Sequence, residues 1–321
     1  MKKFILKSLL YVFLILLALE GLVRVLHLYT EDPPRYIDEY GVEKRVPGST
    51  GYSVTGNRNQ NLSKFRINKD GFNSKNEFNP TEKGYEVALI GDSFIEGFHQ
   101  DYHISTGEKI EERTNHIRVY EYGYAGYDLA NQMHLINAYK DQFSLIDKII
   151  IYLNYESDLS RGEYRPNHDR IRMLNSTIFK IRDNIKLLAY GSKIGVLESF
   201  KRLAQGKAFN EPKKGYQEND VKLSQEEINN QDRNRLDNFK NLISLYGFDK
   251  NKTAILLDSR KTSENFLKYC KNESIEVIDF APAFKASTKS TTLIYDHHWN
   301  EHGRNLIADT VANYLKNNRA D

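Results

Sequence analysis

Apolar residues occur along the chain in two patterns. Short continuous runs close to Glu86–Ile90, Ile117–Tyr122, Lys148–Leu153, Thr253–Leu257 and Ile275–Phe280 read as strands buried on both faces. Between and after them, apolar positions recur at helical spacing, as with Leu236, Phe239, Leu242 and Ile243, and with Leu306, Ile307, Val311 and Leu315. Strands alternating with helices predict an α/β domain over 85–321, a three-layer α/β/α sandwich around a central parallel sheet. Residues 27–84 are polar and irregular, with Pro33-Pro34 and Gly48-Ser49, and predict a lead-in of strand and turn packed on that domain. At about 160–220 the third strand is followed by a charged stretch that carries Ile178, Phe179, Ile181, Ile185, Leu187, Leu188, Ile194, Leu197 and Phe200. This pattern predicts a helical insertion, either folded over the carboxyl end of the sheet or peripheral to it. Gln217 to Asp249 then reads as a helix leading into the fourth strand.

The amino terminus has a third pattern. Lys2, Lys3 and Lys7 precede Ser8–Leu19, SLLYVFLILLAL, which carries no charge. Extended from Phe4 to Leu26, the segment is long enough to cross a bilayer if Lys7 snorkels and Glu20 pairs with Arg24 one turn later. A cleaved signal peptide starts the same way, but no small-x-small site follows. The expectation is an uncleaved single-pass anchor over 1–26, with its N-terminus in the cytoplasm and the rest outside, in the periplasm. The 321 residues carry a net charge of +3, which offers no field for nucleic acid. The single cysteine, Cys270, excludes an internal disulfide framework.

Candidate chemistry sits at two places. In VALIGDSFIEGF, residues 87–98, Gly91 permits a tight turn and Ser93 lies at a strand-to-helix elbow. The positive end of the following helix suits an oxyanion there, although Asp92 and Ser93 are equally ordinary N-caps. Near the other end, YDHHWNEHGR places Asp296 and His298 just before a helix for which Asn300 is a plausible cap. Serine needs a base to take its proton, histidine is the usual one near neutral pH, and a carboxylate orients the imidazole. Ser93, His298 and Asp296 supply those three roles. A metal site built from Asp296, His297, His298 and His302 has no HExxH or cysteine support, so neither metal nor cofactor is expected. His99, His103, His116, His134 and His168 have no partner visible in the sequence.

GDSF followed far downstream by an Asp-x-His-Trp-Asn block resembles the SGNH (GDSL-type) hydrolase superfamily, and specifically its extracytoplasmic polysaccharide O-acetylation branch. FRINKDGFNSK resembles the segment preceding the GDS strand in anchored members. The resemblance implies a flavodoxin-like sheet, with Ser93 as nucleophile, His298 as base and Asp296 as its orienting acid. It further implies an oxyanion hole from the backbone N–H groups of Ser93 and Gly126, the latter in VYEYGYAGYDLANQ. The family's third block carries Asn-Asp, whereas this chain reads Asn154-Tyr155-Glu156-Ser157-Asp158. Either Asn154 or Ser157 is then the third donor. The implied activity is hydrolysis of O-acyl esters, with an acylated glycan or lipid as substrate. Three alternatives stay open: an O-acetyltransferase working with a membrane acyl-donor protein, a phosphodiesterase, and an anchored carbohydrate-binding or assembly component with weak catalysis.

Overall fold

Each of the five continuous apolar runs is a strand of one parallel sheet. The computed structural model describes residues 1–56, 61–81, 83–196 and 224–318. The strands are β5 (Tyr85–Gly91), β6 (Ile117–Gly123), β7 (Lys148–Tyr152), β8 (Thr253–Leu257) and β9 (Glu276–Asp279), in the spatial order β6-β5-β7-β8-β9. Because successive side chains point to opposite faces, β5 supplies both layers of the core. Ala88 and Ile90, with Ile149, Ile151 and Ile255, pack under α4 (Leu129–Ala138), α9 (Gln225–Tyr246) and α10 (Glu264–Asn272) through Leu129, Met133, Phe239, Leu242 and Phe266. Val87 and Leu89, with Ile150 and Leu256, pack under α3 (Thr106–Arg113) and α12 (Glu301–Asn318) through Ile110, Ile307 and Val311. The three-layer α/β/α architecture is therefore present.

Strand order fixes where a site can form. The chain goes from β5 to β6 on one side and returns to β7 on the other, so the order reverses at β5. Crevices at the carboxyl ends of strands flanking such a reversal are where open α/β sheets bind ligands. The residues that follow β5 begin α2 (Ser93–Glu96), which places Ser93 there.

The lead-in forms two antiparallel pairs, β1 (Arg35–Ile37) with β2 (Glu43–Arg45), and β3 (Thr50–Thr55) with β4 (Asn61–Arg66). Polar contacts tie both to the segment after Ser93. Arg45 Nε donates to Glu96 Oε1 at 2.9 Å, and Asn73 Nδ2 to the Glu96 carbonyl at 2.7 Å. Ser63 Oγ donates to the Phe98 carbonyl at 2.6 Å. Arg45 and Glu96 are both buried. Removing Arg45 leaves the Glu96 carboxylate buried without its counter-charge, at a cost of about 3–5 kcal/mol, whereas Arg45 also pairs with Asp32 at 2.6 Å.

Among the described residues one helix is long and apolar enough to cross a membrane, α1 (Lys2–Val25). Glu20 and Arg24 pair on it at 2.7 Å, as their spacing predicts. The short helices α6 (His168–Leu174), α7 (Thr177–Asn184) and α8 (Lys186–Lys193) are the described part of the insertion. Leu197 and Phe200 lie outside the described residues, as does the start of the helix expected from Gln217. That helix, α9, begins behind a capping box in which Ser224 and Glu227 exchange hydrogen bonds. α8 packs on α1 and reaches the lead-in at Val54, whose carbonyl accepts from Lys193 Nζ at 3.1 Å. The described insertion helices contribute no residue to the cavity lined by Phe94, Asn154 and Trp299.

Candidate active site

The elbow after β5 is built by two close approaches to glycine, one by a side chain and one by backbone. A Cβ on Gly91 would lie 2.4 Å from Ile95 Cγ1, and one on Gly123, at the end of β6, would lie 2.1 Å from the Glu96 amide nitrogen. Only glycine lets α2 sit this tightly against both strand ends. Asp92 caps the helix, its carboxylate accepting from Phe94 N–H at 2.8 Å. Capping is therefore the work of Asp92, and Ser93 is released for another role. α2 ends after one turn at Gly97, whose φ of 71° is left-handed. The buried Arg304 guanidinium holds that turn from behind, donating to the Phe94 carbonyl at 2.8 Å and to Thr106 Oγ1 at 3.2 Å. Burial lowers Arg304 to about 10, with Glu121, Asp296 and Asp92 opposing.

The loop before α12 carries the second half of the site. Asn300 caps α12 by accepting from Gly303 N–H at 2.9 Å, and the Leu293 amide donates to the His298 carbonyl at 2.9 Å. His298 Nε2 lies 2.8 Å from Ser93 Oγ. Its backbone N–H donates to Asp296 Oδ1 at 2.8 Å, and its Nδ1 lies 3.2 Å from that same oxygen. Nδ1 makes no aligned hydrogen bond, although it is buried. Catalytic hydrogen bonds in ligand-free enzymes are often loose in this way and tighten once substrate is bound. The structure thus brings Ser93, His298 and Asp296 together. Burial holds His298 below the ordinary histidine range, with Asp296 opposing, so the imidazole is neutral and able to accept a proton near pH 7.

A second imidazole joins them that the sequence reading did not single out. His99 stacks on His298 with ring centroids 4.2 Å apart, and its Nε2 lies 3.3 Å from Asp296 Oδ2. Phe94 stacks on His298 at 4.6 Å. Each oxygen of Asp296 therefore faces a different imidazole. Burial pushes His99 down to about 4, helped by His298 and opposed by Asp296, so it too is neutral. The donor atoms of His99, Asp296 and His298 lie within 4.8 Å of one another, close enough to consider a metal. The rings are stacked on one another, and His298 Nε2 is committed to Ser93, an arrangement suited to proton transfer rather than ligation.

The expected oxyanion donors separate. Ser93 is the first residue of α2, so its N–H has no intrahelical acceptor. The Ala125 N–H is committed to Glu96 Oε2 at 3.0 Å, and Gly126 follows in an exposed turn with φ of 98°, next to Arg170. Asn154 lines a cavity of about 250 Å3 together with Phe94, Tyr152, Trp299, Phe280 and Arg260, to which Ser93 and His298 themselves do not contribute. Ser157 does not face that cavity. Its hydroxyl donates to Asp158 Oδ1 at 2.7 Å, which corrects its candidacy as third donor. The reason lies in Asp158, whose other oxygen accepts from the Asn154 N–H at 2.9 Å and whose burial raises its pKa well above the carboxylate range. Ser157 is spent on satisfying that buried acid. Trp299 is buried edge-on against Phe94, Tyr152 and Phe280, which makes it a packing residue. His302 pairs with Ser287 at 2.8 Å, away from Ser93.

No protein-family model matches the chain, and no curated protein matches it. Among solved structures, the chain is similar to a member of the lipolytic protein G-D-S-L family from Veillonella parvula, with 14% identity, a TM-score of 0.37, and coverage of 72% of this chain and 98% of that one. It is similar to the lipase/acylhydrolase from Enterococcus faecalis, with 12% identity, a TM-score of 0.39, and coverage of 73% and 96%. A third is a putative lipolytic protein of the G-D-S-L family from Desulfitobacterium hafniense, with 13% identity, a TM-score of 0.35, and coverage of 72% and 99%.

Proposed function

We propose that the chain is a membrane-anchored serine esterase of the SGNH type, acting outside the cytoplasm on short O-acyl esters of a glycan or lipid. The observation that carries this reading is the 2.8 Å contact between Ser93 Oγ and Nε2 of the half-buried, neutral His298. His298 takes the Ser93 proton as Oγ bonds to the ester carbon. The carbonyl π electrons move to its oxygen, and the oxyanion is held by the Ser93 N–H and by Asn154. The intermediate collapses, the ester C–O bond breaks, and His298 returns the proton to the leaving alkoxide. Water, deprotonated by the same imidazole, releases the acid and restores Ser93. A sugar hydroxyl in place of water would make the same residues an acyltransferase.

Hydrolysis of p-nitrophenyl acetate, butyrate and octanoate by the full chain in detergent tests the reading. The expected order of kcat/KM falls with chain length, and Ser93→Ala abolishes all three. Absence of turnover on every ester, with acylated glycan bound equally well by the wild type and Ser93→Ala, would replace the enzyme by a binding protein.

A further inference from the structure

The insertion helices expose the wrong residues for water. Ile178 is 79% exposed, Ile181 50%, Ile185 43% and Ile194 51%. Ile178 and Ile181 lie one turn apart on α7, and Ile185 at its C-cap continues the same face. An apolar stripe of this kind on a short surface segment needs an occupant.

The occupant is indicated by what α7 and α8 rest on. The Glu20 carboxylate accepts from the Lys186 and Leu187 N–H groups at 3.1 and 2.7 Å, and Arg24 Nη2 donates to the Asn184 carbonyl at 2.8 Å. The outer end of α1 therefore grips the junction between α7 and α8. From Lys2 to Glu20 a helix rises about 27 Å, close to the roughly 30 Å of a bilayer hydrocarbon core. If α1 spans, Glu20 sits at the outer edge of that core, and Asn184 to Leu187 sit at the same depth. Lys180, Arg182 and Lys186 follow on the same two helices, as in segments that lie in the headgroup region with an apolar face turned inward.

We infer that α7 and the start of α8 form a membrane-interface platform, with Ile178, Ile181 and Ile185 seated in the headgroup region of a phospholipid bilayer beside the exit of α1. This inference rests on the anchored reading of α1. Its consequence is positional: α8 contacts β3 at Val54, and the next residue, Thr55, bonds the Tyr295 hydroxyl at 2.8 Å, one residue before Asp296. The platform thus sets the catalytic loop at a fixed height above the lipid.

The test uses the full chain in nanodiscs of phosphatidylethanolamine and phosphatidylglycerol, with an environment-sensitive NBD dye on single introduced cysteines. Cys270 is buried, so introduced thiols label selectively. The sites are I178C and I181C, with L14C inside α1 and I294C, which is 96% exposed, as references. The expected result is blue-shifted emission, quenched by shallow doxyl lipids, at 178 and 181, deep-lipid quenching at 14, and aqueous emission at 294. Aqueous emission at 178 and 181 with Leu14 in lipid overturns the platform alone. Aqueous emission at all four sites overturns the anchor and the platform together. A blue shift at 178 and 181 without lipid quenching assigns the stripe to a protein partner and also overturns the inference.

Discussion

The carboxyl end of the sheet and the outer end of α1 treat polar and apolar groups in opposite ways. Around Ser93, apolar side chains are buried and charged ones are buried among them, held by neighbours: Glu96 by Arg45 and Ala125, Asp158 by Ser157 and Asn154, and Arg304, through one nitrogen of its guanidinium, by Phe94 and Thr106. Around Glu20 and Arg24, polar groups make the contacts while the isoleucines of α7 face outward. A buried polar network has defined geometry because an unsatisfied member is costly, which is what proton transfer over 2.8 Å requires. A surface held by a few polar contacts beneath an apolar stripe is suited instead to lie against lipid. On the proposed reading, one end of the molecule serves the chemistry and the other its placement.

The largest expected effect falls on the chemical end. Ser93→Ala and His298→Ala each lower kcat by about 10⁴-fold or more, with little effect on the thermal midpoint, as measured by ester turnover beside calorimetry. A loss of only a few fold in both would break the contrast at its centre.

Next is pH. His298 must be neutral to accept the proton, and its pKa is held below the ordinary histidine value, so the acid limb of kcat/KM lies below about pH 6.5. Asp296 opposes that lowering, so Asp296→Asn moves the limb to still lower pH while reducing kcat by about 10²–10⁴-fold. A limb that moves upward in this variant contradicts the assignment.

Asn154→Ala reduces kcat by about 10²-fold through loss of an oxyanion donor. Ser157→Ala leaves activity within about threefold and acts on stability instead, because it strips a hydrogen bond from buried Asp158 at a cost of about 1–3 kcal/mol. Equal effects of the two on kcat would return Ser157 to the site.

The two ends also differ in stability. Ile90→Ala, buried near the carboxyl end of β5, costs about 2–5 kcal/mol in urea unfolding, whereas Ile181→Ala in the same detergent micelles changes it by less than about 0.5 kcal/mol. A modest effect is expected at His99. His99→Phe keeps the stack on His298 but removes the Nε2 facing Asp296, and lowers kcat by about three- to tenfold at unchanged KM. A change confined to KM would place His99 against substrate instead.

What could be read from the sequence follows the range of the forces involved. β5 to β9 match the continuous apolar runs to within about one residue at most ends, since burial on both faces leaves no polar positions to confuse the reading. Ser93 and the Asp296–His298 pair stood out because each sits in a short local motif that ends a strand or opens a helix. His99 did not, because nothing in GFHQD signals that its ring stacks on an imidazole from a loop far along the chain. The same holds for Gly123, whose need to be glycine comes from α2 rather than from its own turn. The choice between Asn154 and Ser157 depended on the burial of Asp158, a tertiary property. The lead-in strands are short and polar, so their register, with Arg45 paired to Arg35 and reaching Glu96, is set by contacts rather than by pattern.

Covalent capture asks whether Ser93 is a nucleophile activated by His298. The full chain is treated with a fluorophosphonate, digested, and mapped by mass spectrometry beside His298→Ala. The account predicts one adduct, on Ser93, forming at least about 10²-fold more slowly in His298→Ala. An unlabelled Ser93 in folded protein, or labelling at the same rate in both, would contradict it.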